Sequence, residues 1–167
     1  VDRLAETLGA FGQSAGLVGI DGDMRALGLR PDGQAWTVAV EAPDEARRAP
    51  RSILALQDAA VATSGDYRHW VEVEGRRLSH TMDPRRGAPM HAPPASVTAI
   101  ARTCAEADAW ATALMVKGSH EGAEFARRCN VSALFLDRKG DTLCETRVGQ
   151  LFETRPDPGP RTGTAGR

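Results

Sequence analysis

The stretch from Thr103 to Val116 constrains the fold more than any other part of the chain, because it is the clearest helix in the sequence. Thr103 and Glu106 form a Thr-x-x-Glu capping box, in which two side chains satisfy N–H groups that a helix start leaves without partners. Helix-favouring, Ala-rich residues follow, and Gly118 ends the segment. Ser119 and the run from Gly122 to Cys129 predict a shorter second helix. Elsewhere turn residues cut the chain into short extended pieces. Helices must therefore cover a sheet assembled from local hairpins.

The opening residues place Leu4, Leu8 and Phe11 at helical spacing with charges between them, which is an amphipathic helix and not a signal peptide. Strands are expected at Leu17–Ile20, Arg25–Leu29 and Trp36–Val40, with the Pro31–Gly33 turn predicting a hairpin between the last two. Glu41–Arg51 reads as a loop, and residues 52–65 as two extended segments, although their Ala content leaves a helix open. Trp70–Val73 and Leu78–Met82 predict a hairpin over Glu74-Gly75, broken by Asp83-Pro84. Pro89, Pro93 and Pro94 mark a connector before a strand at Val97–Ile100. Val131–Leu136 and Thr142–Val148 close as a hairpin around Arg138–Asp141. From Thr154 onward three prolines, three glycines and almost nothing apolar predict a disordered tail. The sum is an α+β unit over residues 1–152, an antiparallel sheet with helices on one face, and a tail over 153–167.

Composition excludes several classes. At 167 residues and 17.8 kDa the chain fits one domain, and no apolar run approaches the roughly 20 residues that a bilayer needs. With 21 basic and 22 acidic residues the net charge is -1, and no basic face is clustered. This balance argues against nucleic acid or an anionic membrane as the main partner. Nineteen of the 21 basic residues are Arg, which suits phosphate oxygens but reads more readily as charge scattered over the surface. Cys104, Cys129 and Cys144 fit neither a Cys-x-x-Cys motif nor an even disulfide framework, and read as small core residues.

Four segments carry candidate chemistry. Thr63-Ser64-Gly65-Asp66-Tyr67 sits at a strand-to-turn junction where small polar groups suit a phosphate or ribose, or form only a turn. In Ser79-His80-Thr81-Met82-Asp83-Pro84, an imidazole near a strand end suits proton transfer from a hydroxyl nucleophile. A lone His is also an ordinary surface or core residue. On the strong helix Asp108 and Thr112 lie four apart and share a face, which by helical angle also carries Cys104, Ala111 and Met115. A carboxylate on so apolar a stripe needs a partner. Carboxylate plus hydroxyl oxygen favours Mg²⁺ or Ca²⁺ over zinc. The fourth segment, Gly19 to Gly28, is a glycine-rich strand, turn and strand holding Asp21 and Asp23.

In this order the four segments resemble the bacterial flavin transferase family that attaches FMN to proteins, the ApbE type long labelled thiamine-biosynthesis lipoproteins. The family's Gly-Gly-Asp-Ile-Arg stands as Asp21-Gly22-Asp23-Met24-Arg25, and its Thr-Ser-Gly-Asp-Tyr is complete at residues 63–67. Its Ser-His-Ile-Ile-Asp-Pro-x-Thr-Gly becomes residues 79–87, with Arg86 in place of Thr, and its Ala-Asp-Ala-x-Ala-Thr-Ala-Leu is complete at residues 107–114. The resemblance covers the family's C-terminal half, residues 1–152, and implies an ApbE-like, T-fold-like architecture. Val1-Asp2 is expected to follow a Lys-Gly-Tyr-Ala segment, which makes the chain the back portion of a larger unit.

By the same resemblance, FMN passes from FAD to a Ser or Thr hydroxyl of an acceptor protein and AMP is released. Asp108 and Thr112 would ligate Mg²⁺, and His80 would act on the incoming hydroxyl. Thr63, Ser64, Gly65, Asp66, Thr81, Asp83 and Asp23 would shape the FAD site. The expected setting is the envelope side of a bacterial membrane. The alternatives are a non-catalytic FAD-binding relative and an FAD hydrolase giving FMN and AMP.

Overall fold

The computed structural model describes residues 1–43, 50–66, 70–73, 75–140 and 142–153. The predicted tail from Thr154 lies outside the described residues, as do Tyr67 and most of the loop expected at Glu41–Arg51. In chain order the elements are α1 (Asp2–Ala10), β1 (Gly16–Ile20), β2 (Asp23–Leu27), β3 (Trp36–Glu41), β4 (Pro50–Leu56), β5 (Ala60–Gly65), β6 (Trp70–Val73) and β7 (Arg76–Ser79). There follow β8 (Met82–Asp83), β9 (Ala88–Pro89), β10 (Ser96–Ala101), α2 (Cys104–Lys117), α3 (Ser119–Arg128), β11 (Ser132–Lys139), β12 (Thr142–Val148) and α4 (Gln150–Glu153). Among the described residues no helix is long and apolar enough to cross a membrane.

Six strands form one antiparallel sheet in the order β1-β2-β5-β10-β11-β12. Side chains alternate between its faces, so β10 and β11 feed two separate cores. On one face Val97, Ala133 and Phe135 pack with Leu114 and Met115 of α2 and with Ala123 and Ala126 of α3. On the other, Ile100, Leu134 and Leu136 pack with Val38, Val40, Leu54 and Leu56 from the β3–β4 hairpin and with Phe152 of α4. Strand β10 is thus buried on both sides, from Ser96 to Ile100, as befits a middle layer. The expected α+β class is the architecture found, with α2 and α3 on one face of the sheet and the short α4 on the other. The second face is closed by a two-stranded layer.

That layer corrects one expectation. The Pro31–Gly33 turn forms, with the Arg30 N–H donating to the Gln34 carbonyl at 2.8 Å and the Gly33 N–H to the Arg30 carbonyl at 2.9 Å. The strands beside it do not pair, because both edges of β2 are taken by β1 and β5. The turn instead lifts the chain out of the sheet, and β3 pairs with β4, burying Val38, Val40, Leu54 and Leu56. Period-two alternation identifies a strand, whereas its partner depends on which edges remain open. Three further expectations are adjusted. The second strand of the 70s hairpin is Arg76–Ser79, which leaves His80 past its end. In α1 the buried residue is Ala5, while Leu4 and Phe11 face solvent. Of the cysteines only Cys104 is buried, and Cys129 is exposed.

The Thr103 half of the expected capping box forms, its hydroxyl accepting from the Glu106 N–H at 3.2 Å, and Gly118 at φ 75° ends α2 and starts α3. At the far edge Gly149 adopts φ +82°, and a Cβ there would come within 2.9 Å of Ser132 Cα. Gly149→Ala therefore combines a left-handed backbone, which costs L-residues about 1–2 kcal/mol, with a clash of about 1–3 kcal/mol. It should lower unfolding free energy by about 2–4 kcal/mol in urea titrations. A loss below about 0.5 kcal/mol would show that the β12–α4 corner yields freely.

Candidate active site

Strands β2 and β5 pair over only two positions, Met24↔Val61 and Arg25↔Ala60. Beyond Met24 they part, and a cleft of about 760 Å³ opens at the split, in the range of small-molecule sites. The β1–β2 turn with Asp21, Gly22 and Asp23 forms one side, Thr63, Ser64 and Gly65 of β5 the floor, and Val38–Glu41 of β3 the opposite wall. Asp108 and Thr112 enter from α2, and His80 from the loop after β7.

Seven residues singled out in the sequence thus share one cleft: Asp23, Thr63, Ser64, Gly65, His80, Asp108 and Thr112. The Ser64 and Thr112 hydroxyls hydrogen-bond at 2.9 Å, tying sheet to helix. Thr63 bonds Thr98 through their hydroxyls at 2.8 Å. Asp108 and Thr112 are exposed rather than buried. The buried stripe of α2 runs through Cys104, Ala107, Ala111, Leu114 and Met115, one step around the helix, so Asp108 carries no uncompensated burial.

Three expected pocket residues lie elsewhere. Thr81 is buried against α2, its hydroxyl 4.0 Å from the Met115 sulfur, so it anchors the loop carrying His80. Asp83 closes its own turn: its carboxylate accepts from the Arg85 N–H at 2.9 Å, and its carbonyl from Arg86 and Gly87. Asp66 stands at the rim, paired with Arg138 at 3.0 Å. Glu41 and the β3 wall carry no signal in the sequence, because the Pro31–Gly33 turn suggests β3 beside β2. Asp21 departs from the family's Gly at φ 52°, followed by Gly22 at φ 101°. A two-residue hairpin turn takes Asp-Gly in that conformation, so the substitution fits locally.

The electrostatics favour a cation. Burial, then the charge of Asp108, push the Asp23 carboxyl above its ordinary range; Asp21 adds to this, and a hydrogen bond from the Thr63 N–H partly offsets it. Two carboxylates beside two hydroxyls are an all-oxygen donor set, which fits Mg²⁺. Among the described residues no three His, Cys, Asp or Glu side chains converge into a closed cage. An ion held there would keep water or substrate oxygens as further ligands. Cys104 is no nucleophile: burial and the charges of Asp2 and Asp23 push its thiol up to about 11.

The position of α2 depends on Asp2, at the start of α1. Its two carboxylate oxygens accept from the Cys104 N–H at 3.0 Å and the Ala105 N–H at 2.9 Å, and Arg25 Nη1 donates to it at 2.8 Å. With Thr103 capping Glu106, the first turn of α2 is satisfied from two directions. Arg25 is two residues from Asp23, and Cys104 is one turn from Asp108. The same clamp therefore holds both cleft carboxylates.

The ApbE family matches residues 1–135 of the chain. The FAD:protein FMN transferase of Escherichia coli K12 is 36% identical over 142 residues, which are 85% of this chain and 40% of that protein. The transferase of the same name from Vibrio cholerae is 38% identical over 145 residues, 87% of this chain and 43% of that protein. Among solved structures, the apo form of the Pseudomonas stutzeri flavinyl transferase ApbE superposes with a TM-score of 0.76 at 41% identity, covering 89% of this chain and 46% of that one. The flavin transferase ApbE from Vibrio cholerae superposes with a TM-score of 0.74 at 35% identity, covering 89% and 47%. The chain spans less than half the length of these relatives.

The Asp2 clamp is testable through pH. Burial opposes ionisation of Asp2, but the N–H groups of Ala105 and Cys104 and the Arg25 guanidinium outweigh it and hold the carboxyl below its ordinary value. Its stabilisation is therefore complete above about pH 4, the unfolded range, and is lost as pH falls through the lower folded value. Asp2→Ala should destabilise the fold by about 2 kcal/mol at pH 7, and the gap to wild type should narrow below pH 4 in urea titrations. A gap independent of pH would contradict the clamp.

Proposed function

Because the chain belongs to the ApbE family, we propose that it carries the catalytic cleft for moving FMN from FAD onto a Ser or Thr hydroxyl of an acceptor protein, with release of AMP. The observation that carries this reading is the shared cleft: His80, the Ser64 and Thr112 hydroxyls, and the Asp23 and Asp108 carboxylates line one cavity. In the transfer, the acceptor's hydroxyl oxygen bonds to the FMN-side phosphorus while the bridging P–O bond breaks, and that electron pair leaves with AMP. The hydroxyl proton passes to the His80 imidazole, which acts as the general base.

Asp108 and Thr112, with Asp23 beside them, would hold Mg²⁺, which when bound offsets the negative charge of the diphosphate. Thr63, Ser64 and Gly65 give a floor of small residues on which phosphate oxygens approach the backbone closely. Thr81 fixes the His80 loop from behind, through Met115. By family resemblance, the acceptor would be met on the envelope side of a bacterial membrane.

One observation favours a second reading. His80, Asp108 and Thr112 are all exposed, so water reaches the same position as an acceptor hydroxyl, and attack by water gives FMN and AMP.

Incubating the protein with FAD, Mg²⁺ and an acceptor domain distinguishes these outcomes. The transfer reading expects covalent flavin fluorescence on the denatured acceptor, with one AMP released per label. It also expects His80→Ala to slow labelling at least about 100-fold. AMP without label identifies hydrolysis, and FAD binding without AMP identifies a binding module. Equal labelling by wild type and His80→Ala contradicts the role of His80.

A further inference from the structure

Two walls of the cleft come from strands that do not pair with each other: β3, which pairs with β4, and β5, which pairs with β2 and β10. They are joined at one end by a side chain that is not part of the cleft lining. Arg138, near the end of β11, donates from Nη1 to Asp66 Oδ1 at 3.0 Å and from Nη2 to the Pro43 carbonyl oxygen at 3.0 Å. Asp66 directly follows Gly65, and Pro43 lies two residues beyond Glu41; Gly65 and Glu41 both line the cleft. The Asp66 N–H also donates to the Ala95 carbonyl at 3.2 Å, which fixes that end of β5 to the chain entering β10.

A guanidinium is a planar fork with donors in fixed relative positions, so engaging two acceptors at once fixes the distance between them. The Arg138 side chain is 41% exposed, and an ion pair with that access to water adds little to stability. The consequence of the contact is therefore geometric. We propose that Arg138 is a positioning residue that sets the separation of the β3 and β5 walls and through it the grip of the cleft on the flavin nucleotide. This rests on the FAD reading proposed above.

The test is a titration of FAD in Mg²⁺, followed by flavin fluorescence, with wild type, Arg138→Ala and Arg138→Lys, together with the unfolding midpoint of each. The expected result is FAD binding by wild type and at least about fivefold weaker binding by Arg138→Ala, since a misplaced wall loses contacts along the whole ligand. Arg138→Lys should fall between them, because an ammonium keeps the charge but lacks the fork that spans both acceptors. Unfolding midpoints should agree within about 2 °C, which separates positioning from a purely structural role. Equal affinity in all three proteins overturns the role of Arg138 and leaves the FAD reading standing. Failure of wild type to bind FAD overturns both. Should Arg138→Ala not fold, Arg138→Lys decides: affinity equal to wild type overturns the proposal.

Discussion

The site depends on one carboxylate that lies outside it. Asp2 accepts two N–H groups from the first turn of α2 and a guanidinium from β2, so a helix and a strand about 80 residues apart in the chain are locked to a common point. Positive partial charge at a helix start and a full positive charge on Arg25 meet one negative group there. A turn further along α2 stands Asp108, and two residues back along β2 stands Asp23. Burial and, after it, the charge of Asp108 raise the Asp23 carboxyl, so the clamp holds two like charges near one another. The cation proposed between them would add to the attraction that the Thr63 N–H already supplies to Asp23.

The cleft itself exists because a sheet is allowed to come unzipped. Two paired positions join β2 to β5, whereas β10 pairs with β5 at six. The split opens beside the small residues of β5, and the β3–β4 layer closes the far side. The cleft residues are thus carried by strand ends, one loop and one helix face, with packed cores on both sides of the sheet behind them. Such backing holds a charged site in place without requiring its residues to be buried.

Much of this was legible in the sequence wherever the controlling interaction is local. The Thr103–Glu106 cap, the break at Gly118 and the β6–β7 and β11–β12 hairpins depend on residues a few positions apart, and they formed with small shifts of boundary. The motif segments around Asp23, Thr63, His80 and Asp108 also pointed to a common cavity. The pairing of β3 was not legible, because alternating valines specify a strand and not its neighbour. Nor was the exposure of Asp108, since alanines surround α2 and leave little contrast between its faces. Thr81 and Asp83 share a motif with His80, and in the fold one packs on Met115 and the other closes a turn, contacts that the motif does not reveal. Asp2 and Arg138 carried no signal: their partners lie 102 and 72 residues away in the chain.

Under the proposed function, the α2 and β2 carboxylates act together through a divalent cation to receive the diphosphate of FAD. Its most direct test is the affinity for FAD with Mg²⁺ and with chelator, compared between wild type and Asp108→Asn. Mg²⁺ is expected to tighten FAD binding by wild type at least about tenfold, equivalent to about 1.4 kcal/mol, and Asp108→Asn to abolish this gain. FAD binding that is indifferent to Mg²⁺, or a gain that survives intact in Asp108→Asn, would contradict it.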